Sequence, residues 1–306
     1  MHDDEIPVDV ALVRRLVARA LPAYADLDVR ALEASGSSNA LFRLGPDLLV
    51  RLPRQPGGSA IIAKESRWLP VIAAGLSVAV PGVLTVCEPD LGYPERWSVT
   101  RWIDGQLPSV ITEDGSPEPA RHALARDLAA VVTQMREIAV PEEAVRDDAL
   151  SWYRGGPLPD LDADFREAVE ASRRLPCLDL DTDAALRLWD TALAAARDRV
   201  PVSGWYHGDL LAENLLVRGD RLVAVLDFGG LAVGDPAVDC IAAWELLDAE
   251  SRATFRSQVG ADDASWLTSM GWALLIAFVT FPYYWETMPA RCASRRAMAQ
   301  AVLGEL

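Results

Sequence analysis

The 306-residue sequence has few of the residues that build metal centres and disulfide frameworks. It contains four cysteines and three histidines, and the cysteines lie far apart without a Cys-x-x-Cys pair. Structural zinc sites need clustered cysteine and histidine ligands, so we expect none here. Isolated thiols are typical of a reducing compartment, and the acidic start Met1–Glu5 has no apolar segment of the kind found in signal peptides. We therefore expect a cytoplasmic protein.

Positive charge is also scarce. Lysine and arginine total 29 against 45 aspartates and glutamates, the net charge is −16, and Lys64 is the only lysine. A negative field of this size repels nucleic-acid phosphates and anionic lipids. The longest apolar run, Gly271–Trp285, contains Pro282 and is shorter than the roughly 20 residues of a membrane span. We expect a buried helix there, no nucleic-acid or membrane partner, and a cationic small molecule as ligand.

The hydrophobic pattern changes along the chain. Apolar runs bounded by turn residues predict short strands starting at 32, 41, 48, 83 and 97, and helices at 8–20 and 60–74. After a polar stretch at 113–119, helical periodicity predominates at 119–139, 162–174, 182–199 and beyond 236. The sequence thus predicts an α+β fold: a mostly antiparallel sheet with one internal helix in residues 1–102, and a larger helical part in residues 103–306.

A loop and hairpin interrupt the second set of helices. His207–Val217 has the sequence HGDLLAENLLV, and Leu222–Gly229 has the sequence LVAVLDFG. The apolar runs predict a buried hairpin that fixes Asp209, Asn214 and Asp227 at strand ends. Hard divalent cations prefer amide and carboxylate oxygens, and a carboxylate kept off the metal can accept a proton from a hydroxyl.

This segment resembles the catalytic and metal loops of the aminoglycoside phosphotransferase family, small-molecule kinases of the protein-kinase-like superfamily. The family pattern, H-G-D-x-x-x-x-N followed by [I/L]-D-[F/W/Y], is matched at His207, Gly208, Asp209, Asn214, Asp227 and Phe228. The resemblance implies a bilobal fold, ATP or GTP as donor, and Mg²⁺ as cofactor. It assigns Asp209 and His207 to catalysis, and Asn214 and Asp227 to the metal.

The resemblance continues in Gly234–Asp239, GDPAVD, which matches the family's G-D-P-x-x-D. Asp235 before Pro236 is typical of a helix N-cap with proline in the first turn. We expect Asp239 to lie on the face nearest the catalytic loop and to accept backbone N–H bonds there. Both residues are predicted to be scaffold.

Two further segments resemble nucleotide-binding parts of the family. Gly36–Asn39, GSSN, resembles its G-x-x-N loop, so Ser37, Ser38 and Asn39 are candidate phosphate ligands. Ser98–Gly105, SVTRWIDG, resembles the hinge whose backbone N–H and C=O groups bind the adenine edge, which implicates Arg101, Trp102 and Ile103. Trp102 is either a stacking partner of the nucleotide or a core residue where the two parts of the chain join.

The residue that holds the nucleotide phosphates departs from the kinase pattern. Arg51 stands on the third strand, where kinases usually carry lysine, and Glu65 resembles the ion-pair partner of that lysine. Arginine keeps the charge but differs in reach and geometry. Lys64 is the alternative cation. It is turned about 100° from Glu65 on a helix, so we expect one of the two to face solvent.

No motif specifies the residues that would bind the acceptor, which is the small molecule that receives the phosphoryl group. The candidates are Trp244, Glu245, Tyr283, Tyr284 and Glu286. A carboxylate among aromatic rings suits an amine-bearing ligand through ion pairing and cation–π contact. The alternative is that the aromatics are helix core and the glutamates are solvated. Aminoglycosides, macrolides, other cationic natural products and choline-like alcohols all stay open as acceptors.

The sequence therefore predicts a kinase that transfers the γ-phosphoryl group of ATP or GTP to a hydroxyl of a small cationic molecule. The alternative is a pseudokinase-like module that binds a nucleotide or metabolite without turnover. The complete set of Asp209, Asn214 and Asp227 disfavours that alternative, and Arg51 alone favours it. A protein kinase is disfavoured because the chain lacks a GxGxxG loop and has few residues between Asp227 and Gly234 for an activation loop.

Overall fold

The computed structural model describes residues 5–32, 38–110, 120–200 and 202–305. The chain forms two compact units. The N-terminal unit comprises residues 1–74, 79–104 and 226–229, and the C-terminal unit comprises residues 75–78, 105–225 and 230–306. The main change of unit thus falls between Asp104 and Gly105, close to the boundary predicted after residue 102. The short segment Leu226–Gly229 was not predicted to belong to the N-terminal unit.

The N-terminal unit is built on a five-stranded antiparallel sheet. Its strands are β1 (Val29–Ala31), β2 (Asn39–Leu44), β3 (Leu48–Pro53), β4 (Val83–Cys87) and β5 (Trp97–Arg101), in the order β1-β2-β3-β5-β4. Its helices are α1 (Val10–Ala20) and α2 (Ser59–Gly75). The first strand lies just before the position predicted for it. Residues 33–37, where we predicted the turn, lie outside the described residues.

Alternation along β3 places its side chains on opposite faces of the sheet. Val50 and Leu52 are fully buried in a core that they share with Leu16 of α1. The residue between them, Arg51, lies on the other face and contacts α2. The alternation along β3 thus places apolar side chains in the core and the Arg51 guanidinium against α2.

The N-terminus of α2 is capped by a carboxylate from another part of the unit. Glu95 accepts the backbone N–H groups of Gly57 at 2.8 Å and Ser59 at 2.7 Å, and the Ser59 hydroxyl at 2.5 Å. Burial would raise the pKa of Glu95, but these hydrogen bonds outweigh it and lower the pKa. Glu95 thereby fixes the start of the helix that carries Glu65.

The C-terminal unit is mostly helical. Its helices are α3 (Ala120–Glu137), α4 (Glu142–Val145), α5 (Asp162–Ser172), α6 (Thr182–Asp198), α7 (Ala242–Leu246), α8 (Ala249–Val259), α9 (Asp263–Tyr284) and α10 (Pro289–Leu303). Two small antiparallel pairs join β6 (Gly204–Tyr206) to β9 (Ala232–Gly234), and β7 (Leu215–Arg218) to β8 (Arg221–Val225). The predicted α+β fold is confirmed, with the sheet in the first part of the chain and the helices in the second.

Helix α9 is the central core helix of this unit. Among the described residues it alone is long and apolar enough to cross a membrane by length and composition, and 78% of its most apolar 18-residue window is buried within the fold. A Cβ at Gly271 would lie 2.7 Å from Leu158 and 2.9 Å from Ala192 of α6, so only glycine permits this approach. The predicted buried helix is confirmed, and it begins earlier than the apolar run.

Candidate active site

The catalytic loop is fixed by a buried carboxylate from the segment that follows it. Asp239 lies in the 3₁₀ helix Pro236–Ile241 and accepts the backbone N–H groups of His207 at 2.8 Å and Gly208 at 2.7 Å. Asp235 caps this helix by accepting the N–H of Ala237 at 3.0 Å. Burial raises the pKa of Asp239, while the N–H donors oppose the rise. The structure thus confirms that Asp235 is a helix N-cap and that Asp239 accepts backbone N–H bonds from the catalytic loop.

His207 is the second residue that the family resemblance assigned to catalysis. Its side chain is buried, and its Nδ1 accepts the backbone N–H of Asp209 at 3.2 Å. This hydrogen bond braces the loop, and a ring with 1% of its surface exposed has almost no surface for a substrate to touch. We therefore correct the prediction that His207 is catalytic: it is a positioning residue.

Asp209 is bound at both of its carboxylate oxygens. The amide nitrogen of Asn214 donates to Asp209 Oδ2 at 2.9 Å and to the Asp209 carbonyl at 2.8 Å. The Arg154 guanidinium donates to Asp209 Oδ1. Burial would raise the pKa of Asp209, but Arg154, followed by Arg295, outweighs it and holds the pKa below the usual range. Asp209 is therefore a carboxylate that can accept a hydrogen bond from a hydroxyl.

In the N-terminal unit, Arg51 and Glu65 form the ion pair that the sequence predicted. Arg51 Nη1 and Nη2 donate to Glu65 Oε2 at 2.7 Å and Oε1 at 3.2 Å, a bidentate arrangement. The Arg51 guanidinium also lies 3.9 Å from the Asp227 carboxylate. Burial would lower the pKa of Arg51, but Glu65 and then Asp227 outweigh it and raise the pKa. Arg51 therefore stays charged.

Lys64 and Glu65 are both buried, with 9% and 1% of their surfaces exposed. The prediction that one of them faces solvent is wrong. The Lys64 ammonium donates to the carbonyl of Gly229 at 2.6 Å, whereas Glu65 faces Arg51. The two neighbours are buried in different directions because Leu226–Gly229 adds a second contact surface to this unit.

Asp227 stands in an unusual backbone conformation for a residue with a side chain. Its φ angle is +52°, its carboxylate accepts the N–H of Gly229 at 3.3 Å, and 42% of its side chain is exposed. Such strained conformations of non-glycine residues cluster at functional sites. In the C-terminal unit, the amide nitrogen of Asn214 is engaged by Asp209, so its amide oxygen is the atom available to a cation.

The Asp227 carboxylate and the Asn214 amide oxygen are each a donor of the type that Mg²⁺ binds. The ion prefers oxygen ligands and takes only one or two carboxylates from a protein, with phosphates and water completing its shell. Among the described residues no group of three or more His, Cys, Asp or Glu side chains could hold a metal by itself.

The predicted nucleotide-binding segments are partly used within the N-terminal unit itself. Trp102 donates its backbone N–H to Asp47 at 2.8 Å and its indole N–H to Asp104 at 2.7 Å, while the Arg43 guanidinium lies 3.8 Å from its ring. The N–H of Arg101 is bonded to the Gly82 carbonyl at 3.3 Å. We therefore correct the hinge prediction for these two N–H groups, which do not face a base. Ile103 follows them along the chain.

The predicted phosphate loop is described only in part. Ser37 lies outside the described residues, and Ser38 is exposed. Asn39 is buried at the start of β2, opposite Pro53 in β3. Ser38 is thus the described hydroxyl of this segment that can reach a ligand.

Two of the predicted acceptor residues are core residues. Trp244 is fully buried and packs 4.8 Å from Trp266. Glu245 is also buried, where it accepts hydrogen bonds from Arg295, from the Ser294 hydroxyl at 2.5 Å and from the Ala212 N–H at 2.7 Å. We therefore correct the prediction that these residues meet the acceptor. Glu245 holds the catalytic loop.

The remaining acceptor candidates lie at the end of α9 and just after it. Tyr283 is 57% exposed, and Glu286 is exposed. Tyr284 is half-buried beneath the Arg291 guanidinium, 5.2 Å from its ring. Arg291 in turn lies 3.7 Å from Glu213 of the catalytic loop. Tyr283, Tyr284 and Glu286 therefore keep surface that a ligand can reach, and Tyr284 is linked to the catalytic loop through Arg291.

Sequence reasoning missed two arginines that the structure joins to the catalytic loop. Arg154 binds Asp209, and Arg295 bridges Glu245 and Glu213, donating to the latter at 2.5 Å. Neither belongs to a motif, and both lie more than 50 residues from their partners on the loop. No local pattern indicates them.

A comparison with protein families matches residues 28–273 of the chain to a model described as the phosphotransferase enzyme family, APH. The chain belongs to this family. The matched range includes the H-G-D motif at His207–Asp209 and the segment Leu226–Phe228. Comparison with curated proteins finds no match.

Solved structures show that this phosphotransferase has the family's fold. The GDP complex of wild-type aminoglycoside 2'-phosphotransferase-IIIa is 21% identical, with TM-score 0.68 and coverage of 97% of this chain and 98% of that one. The streptomycin–ATP–APH(2'')-IIa ternary complex is 17% identical, with TM-score 0.59 and coverage of 94% and 95%. Macrolide 2'-phosphotransferase MphH from Brachybacterium faecium is 23% identical, with TM-score 0.60 and coverage of 97% and 98%. At these identities the likeness establishes the fold.

Proposed function

We propose that this phosphotransferase moves the γ-phosphoryl group of ATP or GTP to a hydroxyl of a small, amine-bearing molecule, of the aminoglycoside or macrolide kind. The observation that carries the proposal is the Asp209 carboxylate. It is held ionised on a loop whose family sequence is complete, with Asn214 bound to it. A fixed carboxylate at this point orients an acceptor hydroxyl and takes up its proton as the phosphoryl group is transferred.

The nucleotide's phosphates are the proposed partners of Arg51 and Ser38. Arg51 is charged and oriented by Glu65, so little freedom is lost when it binds a phosphate. Asp227 and Asn214 are the proposed ligands of Mg²⁺. When bound, Mg²⁺ neutralises the charge that the phosphates carry and orients them. A nucleotide donor agrees with the cytoplasmic location expected from the sequence.

The acceptor class is supported by charge and by the relatives. Tyr283, Tyr284 and Glu286 offer aromatic faces and a carboxylate, a combination that suits an ammonium group. The net charge of −16 attracts cations over a longer range. Two similar structures carry the names of aminoglycoside and macrolide phosphotransferases, and a third is a complex with streptomycin and ATP.

The test is release of nucleoside diphosphate from Mg·ATP and Mg·GTP against a panel of hydroxylated amines, which includes aminoglycosides, macrolides and choline, with Asp209→Asn as the blank. We expect release that requires one acceptor class and Asp209. Binding of Mg·nucleotide without release on any acceptor would contradict the proposal. It would favour the pseudokinase-like module.

A further inference from the structure

A short segment of the C-terminal unit crosses the catalytic loop. This strap, Trp152–Gly155, links the 3₁₀ helices Asp148–Leu150 and Leu158–Leu161. Its backbone is held at both ends: the Tyr206 hydroxyl donates to the Trp152 carbonyl at 3.3 Å, and the Asp235 N–H donates to the Gly155 carbonyl at 2.8 Å. The strap is thus anchored to residues on either side of the H-G-D motif.

Glycines allow the strap to approach the loop closely. A Cβ at Gly208 would lie 2.6 Å from the Trp152 ring, and one at Gly230 would lie 2.4 Å from the same ring. Gly155 has a φ angle of +80°, and a Cβ there would lie 2.5 Å from the Tyr206 ring. Real Cβ atoms do not approach so closely, so these three positions admit only glycine while the strap is in place.

The strap places the Arg154 side chain in contact with the Asp209 carboxylate. The Arg154 Nη1 donates to Asp209 Oδ1 and to the Gly208 carbonyl at 3.3 Å, and its Nε donates to the Tyr153 hydroxyl at 2.9 Å. The guanidinium lies 4.7 Å from the Trp152 ring, and 15% of the side chain is exposed. Few of its degrees of freedom remain, so it is a rigid partner for the carboxylate.

We infer that Arg154 is a positioning residue of the phosphotransfer reaction, through which the strap fixes the orientation of the Asp209 carboxylate. This inference rests on the proposed function. Arg154 engages Oδ1 and Asn214 engages Oδ2, so the plane of the carboxylate is set from both sides. A displacement of about 1 Å in a reacting group can cost on the order of 10²-fold in rate, which makes such a restraint kinetically important.

The test compares Arg154→Ala and Arg154→Lys with Arg146→Ala. Arg146 is the matched control because it also pairs with a carboxylate in this unit, Glu142, but on the exposed surface. We expect kcat of Arg154→Ala to fall by about 10–10²-fold, the range for a misplaced catalytic group, with KM for the nucleotide within about twofold of wild type. Arg154→Lys should keep part of kcat, and Arg146→Ala should keep all of it.

Guanidinium ion at low millimolar concentration adds a readout that a folding defect would not change. It can occupy the space left by the side chain in Arg154→Ala and should raise kcat of that variant several-fold, without effect on Arg146→Ala. An unchanged kcat in Arg154→Ala would overturn the inference. So would a loss of kcat that neither Arg154→Lys nor guanidinium reduces.

A stability measurement separates failure of this inference from failure of the proposed function. In a double-mutant cycle, Arg154→Ala and Asp209→Asn should lower Tm by less together than the sum of their separate effects, because each single change leaves the other charge without its partner. Additive effects would overturn the contact between Arg154 and Asp209 whatever the acceptor. If wild type phosphorylates no acceptor but the cycle is non-additive, the proposed function fails and the hold of Arg154 on Asp209 stands.

Discussion

The two units hold their charged residues in different ways. In the N-terminal unit, Arg51 and Glu65 satisfy each other across 14 residues, from a strand to the next helix. In the C-terminal unit, Asp209 depends on a cation 55 residues earlier, and the loop around it depends on Glu245, which follows Ala212 by 33 residues, and on Arg295. The first arrangement is local and nearly self-contained. The second is assembled from distant parts of the unit, so substitutions far away in sequence should alter the conformation of the catalytic loop.

The largest expected effect is on the stability of the C-terminal unit. Arg295→Met removes the buried cation that Glu245 and Glu213 share. Breaking a buried pair costs about 3–5 kcal/mol in the free energy of unfolding, because a buried charge is left without its partner. Denaturant titration should show a loss of this size. Adding Glu245→Gln to the variant should recover part of it, and a loss below about 1 kcal/mol would contradict the buried network.

In the N-terminal unit, loss of the Asp227 carboxylate should affect the binding of Mg·ATP. Asp227→Ala should reduce the affinity for Mg·ATP by at least about 10²-fold, beyond the 10–100-fold effects of outer-shell partners of a metal. Binding of ATP without Mg²⁺ should change little, since Arg51 keeps its partner Glu65. Calorimetry with and without Mg²⁺ measures both quantities. Equal Mg·ATP affinity in the variant and wild type would count against Asp227 as a metal ligand.

A matched pair of variants can compare how much Arg51 and Lys64 contribute to nucleotide binding. Arg51→Met should raise KM for the nucleotide by about tenfold or more, the value of one charge-assisted hydrogen bond. Lys64→Met should raise it less, because the ammonium is engaged by the Gly229 carbonyl. Steady-state kinetics with varied nucleotide compares them directly. A larger effect for Lys64→Met would make Lys64 the phosphate-binding cation.

The smallest effect concerns the cap of α2. Glu95→Gln should lower the free energy of unfolding by about 1 kcal/mol, as for other helix caps. The pKa of Glu95 is lowered in the folded protein, so its contribution is complete above the pKa of an unfolded glutamate and is lost as pH falls through the lowered value. Wild type and variant should therefore converge in stability as the pH becomes acidic. A constant difference down to strongly acidic pH would contradict the cap.

Local patterns predicted the parts of the fold and site that depend on neighbouring residues. Strand β3 and helix α2 follow from periodicity, and the pairing of Arg51 with Glu65 follows from the resemblance to the kinase pattern. The N–H bonds to Asp239 follow from a motif close to the loop that it braces. These features need few contacts distant in sequence.

The features that could not be predicted depend on distant contacts. Trp244 and Glu245 lie in α7, a helix of five residues, too short for its pattern to indicate which face is buried. The N–H of Trp102 is taken by Asp47 from the turn between β2 and β3. Arg154 reaches Asp209 because a strap crosses the loop, an arrangement that the packing of the unit determines.

The most direct test of the account is a single-turnover measurement of phosphoryl transfer from bound Mg·ATP or Mg·GTP to an acceptor identified by the panel, for wild type and Asp209→Asn. If Asp209 is the general base, both should bind the nucleotide equally, and transfer by the variant should be slower by about 10²–10⁴-fold, the usual cost of losing a general base. Transfer by Asp209→Asn at the wild-type rate would contradict it.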